Sequence, residues 1–104
     1  MDLSELKKES DLSFDIANAK KNALERAESR KLIVYNYSIF SADPETINLV
    51  NVLKQHFDTF IILDNNSNPC KIDNPDEFLN ILIQRNQEAL NEYHRLYETL
   101  KRKS

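Results

Sequence analysis

The feature that most limits what this chain can become is a periodic run in its last third, from Asn74 to about Leu100. Asn74 and Pro75 open it, with Asp76 and Glu77 in the first turn. That is how a helix starts: a capping side chain, a preset φ, and carboxylates at the positive end of the dipole. Leu79, Leu82, Asn86, Ala89, Tyr93, Leu96 and Leu100 follow at spacings of three and four, with Ile83, Leu90 and Tyr97 as a second row beside them. A stripe of this width faces a core or a partner helix. The first turns, Phe78 to Ile83, are apolar nearly all round and are expected inside a domain, whereas the later turns keep only the stripe. At roughly 1.5 Å per residue such a helix is about 40 Å long, more than one small globule covers. The expectation is that a second chain covers the remainder. The alternative is a helix lying across its own domain, since tertiary context often absorbs such stripes.

The first 30 residues also read as helix, with any break expected near Ser10 to Ser13. Leu3, Leu6, Phe14, Ala17, Leu24 and Ala27 give a thin apolar line, and lysine, arginine and glutamate fill the other faces. That line is too sparse in large side chains to anchor a core. It predicts a helical arm, residues 1–30, that packs on a neighbour or folds on binding, against the plainer reading of a solvated, frayed helix.

Residues 31–104 read as a small domain. Leu32-Ile33-Val34-Tyr35 and Ser38-Ile39-Phe40-Ser41 are strand-like runs separated by Asn36-Tyr37, a two-residue hairpin turn in which Tyr37 stands where a type I′ turn favours glycine. Asp43-Pro44-Glu45 caps a helix to about His56, with Ile47, Val50, Leu53 and Phe57 on one side and Leu49 and Val52 on another, which suggests a helix sandwiched between layers. Thr59 to Leu63 is the strongest strand. Asp64 to Asn68 is its turn, and Pro69-Cys70-Lys71-Ile72 returns as an edge strand. The fold class is therefore α+β, in the order helix, hairpin, helix, hairpin, long helix, with a small antiparallel sheet packed by helices.

The chain has no glycine. Positions that need positive φ must fall to Asn or Asp, and Asn36, Asn65, Asn66 and Asn68 stand at the turns. Without glycine, no phosphate-cradling loop or dinucleotide fingerprint can be built. A net charge of −3 argues against a generic nucleic-acid binder, whose affinity rests on neutralising phosphates. Lys101-Arg102-Lys103 is explained by the negative end of a helix dipole. Nothing reads as a signal peptide or a membrane span, so secretion and membrane insertion are not expected.

Chemistry is sparse. Cys70 is alone, which excludes an internal disulfide and a thiolate metal cage, and it reads as a buried, inert thiol. His56 and His94 fall on different helices with no ligand-type neighbours. Asp64 to Asn68 imitates the start of a calcium loop, but Pro69 and Pro75 stand where the turning glycine and the bidentate glutamate belong. Asp43, Asp64, Asp73 and Asp76 are explained by local capping. No catalytic residue, cofactor or metal ligand is expected, and the chain does not read as an enzyme. Asn86 is the one polar residue on the long stripe. It either pairs with a polar group across a seam, fixing register and partner number, or sits on a slightly rotated, exposed face.

Tyr35-Asn36-Tyr37 with Phe40 and Ala42-Asp43, a helix carrying Ile47, a strand ending in Asp64-Asn65, and Glu77-Phe78-Leu79 opening a long helix form a recognisable succession. Over about residues 15–100 it resembles an uncharacterised domain family of tailed-bacteriophage tail-fibre and tail-fibre assembly proteins, with Asn18 to Lys31 matching the basic helix that precedes that domain. The chain has Tyr37 where the family tends to have glycine, and Phe60 or Ile62 where it often has tryptophan. The resemblance implies a virion or assembly component of a phage tail, in the virion or host cytoplasm, acting by protein–protein contact on itself or on tail-fibre subunits. It brings no catalytic residues. The expected contact surface is Leu82, Asn86, Ala89, Tyr93, Leu96, Tyr97 and Leu100 of the last helix with Leu6, Phe14 and Leu24 of the arm. The other function in view is a small acidic regulator that blocks a host protein through the acid-rich segment from Asp58 to Glu77.

Overall fold

Each element boundary falls where a cap or a turn ends one periodicity and begins the next. The computed structural model describes residues 3–103, with side chains from residue 15 to residue 102. The order is α1 (Leu3–Arg30), β1 (Leu32–Tyr35), β2 (Ser38–Ser41), α2 (Pro44–Lys54), β3 (Phe60–Leu63), β4 (Pro69–Ile72) and α3 (Pro75–Lys103). This is the α+β arrangement expected from the sequence. Asp43 starts α2 by accepting the Thr46 amide at 3.2 Å and its hydroxyl at 2.9 Å. Asn74 caps α3: its Oδ1 accepts from the Glu77 amide, its Nδ2 donates to the Glu77 carboxylate, and its own amide donates to the Tyr35 hydroxyl at 3.3 Å, so donors at the helix start are met.

β1 and β2 pair antiparallel with Ile33 opposite Phe40 and Val34 opposite Ile39. Their turn places Asn36 at φ 48° and Tyr37 at φ 67°, the left-handed pair whose twist matches a two-residue hairpin. β3 and β4 pair with Phe60 opposite Ile72 and Ile62 opposite Cys70. In the second turn the positive φ falls to Ser67, not to Asn65, Asn66 or Asn68. The Asp64 carboxylate accepts the amides of Asn66 and Asn68 at 2.8 and 2.9 Å, and the Asn65 amide is directed to the Ile39 carbonyl at 2.8 Å. The Ser67 amide closes the turn on the Asp64 carbonyl at 3.0 Å, so every amide from Asn65 to Asn68 is bonded.

The two hairpins are separate two-stranded sheets. They are stitched by turn contacts instead of a ladder: the Asn65 bond to Ile39, Asn65 Nδ2 to Ser41 Oγ at 2.9 Å, and Asn36 Nδ2 to the Lys71 carbonyl at 3.1 Å. Their inner faces meet the first half of α3. Phe40, Phe78, Ile72, Leu82 and Val50 are the largest fully buried side chains. The Phe78 ring lies 5.1 Å from Phe40, edge-on, and 4.7 Å from Tyr35. Each such side chain contributes about 1.5–3 kcal/mol on leaving water. Contrary to the sandwich expected for it, α2 is covered on one side only: Val50 is buried, with Ile47 and Leu53 partly buried against the core, while Leu49 and Val52 are exposed.

α1 is not a free arm over its described side chains. It runs antiparallel to α3, with Ala19 and Ala23 across from Leu96 and Leu100, Lys20 Nζ 5.7 Å from the Tyr97 ring centre, and Arg30 ion-paired with Glu92. Ala23 and Ala27 are buried there, whereas Leu24 and Ala17 are exposed. The contact row is Ile16, Ala19, Ala23 and Ala27, not the line of larger residues, because small side chains let two helix backbones approach closely.

Candidate functional site

Of the ten residues expected to form a contact surface, three are absorbed by the chain's own interior. Leu82 and Ala89 are fully buried. Asn86 is buried as well, and its Nδ2 donates to the Ala42 carbonyl at 2.8 Å. The polar partner that an inter-chain seam was expected to supply is thus found within the chain. Tyr93, Leu96 and Leu100 are half-buried, and α1 crosses α3 at their level. Tyr97 and Leu24 are partly exposed on one flank of the α1–α3 pair. Leu6 and Phe14 lie outside the residues whose side chains are described.

More apolar surface is exposed on the two hairpins. On the outer face of the first hairpin, Leu32, Val34 and Ile39 are uncovered, Val34 at 73 %. On the outer face of the second, Ile61 and Leu63 are 65 % and 63 % exposed. These are not single stray residues: Val34 and Ile39 are cross-strand partners, and the Ile39 carbonyl is bonded to Asn65, two residues from Leu63. The signal was legible. Leu32 to Tyr35 and Phe60 to Leu63 are apolar at every position, the pattern of strands covered on both faces, whereas a strand with one wet face alternates. Beside Ile61, a shallow hollow of about 570 Å³ is lined by Leu53, Phe57, Phe60 and Lys71. All four strands are edge strands, and the carbonyls of Ile39 on β2 and Lys71 on β4 are taken by Asn65 and Asn36.

Tyr37 stands at the tip of the first hairpin, fully exposed and at positive φ. A bulky residue in that conformation stores strain, and its ring is paired with nothing that would compensate within the hairpin's core face.

The charge of the molecule is polarised. Residues 31–77 hold seven carboxylates against three lysines. The far end of the helical pair, residues 16–22 and 95–103, holds six basic residues against one carboxylate. Within the acidic half, the backbone amides of Asn68 and Asn66 hold Asp64 below the ordinary carboxylate range, against the desolvation that opposes them. That carboxylate is turned onto its own turn, which accounts for its place in the imitation calcium loop.

Among the described residues no group of three or more His, Cys, Asp or Glu side chains is placed to hold a metal ion. The Cys70 thiol is buried and faces the carbonyls of Tyr35 and Lys71. His94 is exposed beside Glu98. No helix over the described residues is long and apolar enough to cross a membrane. No family model, curated protein or solved structure matches the chain. What the arrangement offers chemically is apolar surface with charged ends.

Proposed function

We propose that this chain is a non-enzymatic component of a phage tail or of its assembly, and that it acts by contact with other proteins, copies of itself included. The observation that supports this best is the pair of hairpins apolar on both faces, with Val34, Ile39, Ile61 and Leu63 uncovered. Exposed apolar surface on edge strands is an aggregation hazard in a chain meant to stay alone, and it is retained where a partner covers it. The sequence resemblance to tail-fibre and fibre-assembly domains supplies the kind of partner. Mass spectrometry of purified particles tests the reading: a structural part is present in stoichiometric amount. An assembly factor is absent from particles but is captured by immobilised fibre proteins, and capture is lost in Val34→Glu or Ile61→Glu. Absence from both would overturn the proposal.

A second reading has one observation in its favour. The seven carboxylates of residues 31–77 give that end a field suited to a basic surface, as in a small acidic regulator that occupies a host protein. Such a regulator is absent from particles, is not captured by fibre proteins, and binds its target less well as salt rises.

A further inference from the structure

The hairpin faces leave one apolar row unexplained. Ile83, Leu90 and Tyr97 lie seven residues apart on α3 and are all about two-fifths exposed, at 42, 41 and 39 %. A seven-residue repeat keeps one line on a helix facing a neighbouring helix along its length. α1 reaches this line only at its far end, where Ile16 and Lys20 lie beside Tyr97. Lys20 of α1 reaches the Tyr97 ring, and Leu24, one turn further along the same side of α1, is itself 45 % exposed. The α1–α3 pair therefore presents a flank of four large apolar side chains, Leu24, Ile83, Leu90 and Tyr97, each still about two-fifths exposed.

We propose that a second copy of this chain packs antiparallel along that flank, α3 against α3, with Leu90 against Leu90 of the copy and Ile83 against Tyr97. The inference rests on the reading of the chain as a contact protein and names one of its partners. Two properties of the chain select this occupant and this direction. The row is symmetric about Leu90, so a two-fold axis there brings every member of it opposite another large apolar residue, as a self-complementary interface requires. The charges are complementary in the same direction only. Reversing one copy sets its basic end, with Lys20, Lys101 and Arg102, beside the acidic end of the other, where α3 opens on Glu77 and on Asp76, which also holds Lys54 of its own chain at 2.9 Å. A parallel pair would stack basic end on basic end, and like charges so placed are unfavourable.

The test is cross-linking and sedimentation of the whole chain in a Cys70→Ala background, which leaves no native thiol. At about 100 µM, a concentration that populates even a weak complex, a short bismaleimide should join Leu90→Cys to itself. It should join Ile83→Cys to Tyr97→Cys when the two proteins are mixed, and should join neither of those to itself. Leu90→Glu should raise the dimer dissociation constant by at least about tenfold without changing the thermal unfolding of the monomer, because Leu90 is already half in water. The dimer should also weaken between low and high salt. Self-linking of Ile83→Cys and of Tyr97→Cys would mean a parallel pair and would overturn the proposal. An oligomer that survives Leu90→Glu but is lost in Val34→Glu would overturn it too, while leaving the contact reading intact. A chain that stays monomeric throughout would overturn it and remove self-association from that reading, which particle composition would then decide.

Discussion

Asn86 Nδ2 on α3 donates to the backbone carbonyl of Ala42, 2.8 Å away and 44 residues earlier, and both residues are buried. Ala42 joins the first hairpin to α2, and its own amide bonds the Lys31 carbonyl at 2.7 Å. One side chain on the long helix therefore fixes the point where hairpin, α2 and the end of α1 converge. A stripe position that breaks the apolar pattern is reserved for this bond. An apolar residue there would leave a buried carbonyl without a partner.

Asn86→Leu keeps the volume and removes the donor. The orphaned Ala42 carbonyl should cost about 1–3 kcal/mol. Urea unfolding followed by circular dichroism would read this as a lowered midpoint with an unchanged slope. A midpoint within error of the parent would mean that the bond contributes nothing and that Asn86 is there for another reason.

Tyr37→Gly should stabilise the fold. The ring is fully exposed, so little packing is lost, and relief of the φ 67° conformation is worth about 1 kcal/mol. The unfolded chain gains freedom in exchange, which trims the benefit. A rise in midpoint accompanied by loss of capture by a partner protein would place Tyr37 at a contact. A fall in midpoint would show that the turn does not need what glycine offers.

Asp64 gives the fold a pH dependence of definite sign. Its carboxyl is held below the ordinary range, chiefly by the Asn68 and Asn66 amides. The folded state thus binds the proton less readily than the unfolded chain does. The associated stability is fully present above the unfolded carboxylate value, about pH 4, and is lost as pH falls through the lowered folded value. Asp64→Asn should be less stable than the parent at pH 7, and the gap should close toward pH 3. Two parallel unfolding curves at both pH values would contradict this account.

The element order was legible because each boundary carries its own chemistry: Asp43-Pro44 and Asn74-Pro75 for the helix starts, Asn36-Tyr37 and Asp64 to Asn68 for the turns. Tertiary assignment of α1 was not legible in the same way. Weighing large side chains favours the line through Leu24, but the buried row runs through Ala23 and Ala27, whose burial depends on how closely α3 approaches. The stripe on α3 is wide enough to ask for cover, which the sequence alone assigns to a second chain. What the sequence could not supply was that α1 of the same chain returns over Leu96 and Leu100, since that contact joins residues some seventy positions apart. The outer hairpin faces were legible as unbroken apolar runs.

The close helix pairing gives the sharpest test of that correction. Ala27 is 2 % exposed, so Ala27→Leu adds three heavy atoms where two backbones already meet. Overpacking of this kind costs about 1–3 kcal/mol, and here it should act locally. The hairpins and the first half of α3 have their own core around Phe40, Phe78 and Leu82, so α1 should detach while they stay folded. Hydrogen exchange should then lose protection over residues 16–30 and around Leu96, while the amides of β1 to β4 keep theirs. Uniform loss of protection would mean that helix pair and hairpins unfold as one unit. Unchanged protection would mean that α1 does not pack on α3 through this row.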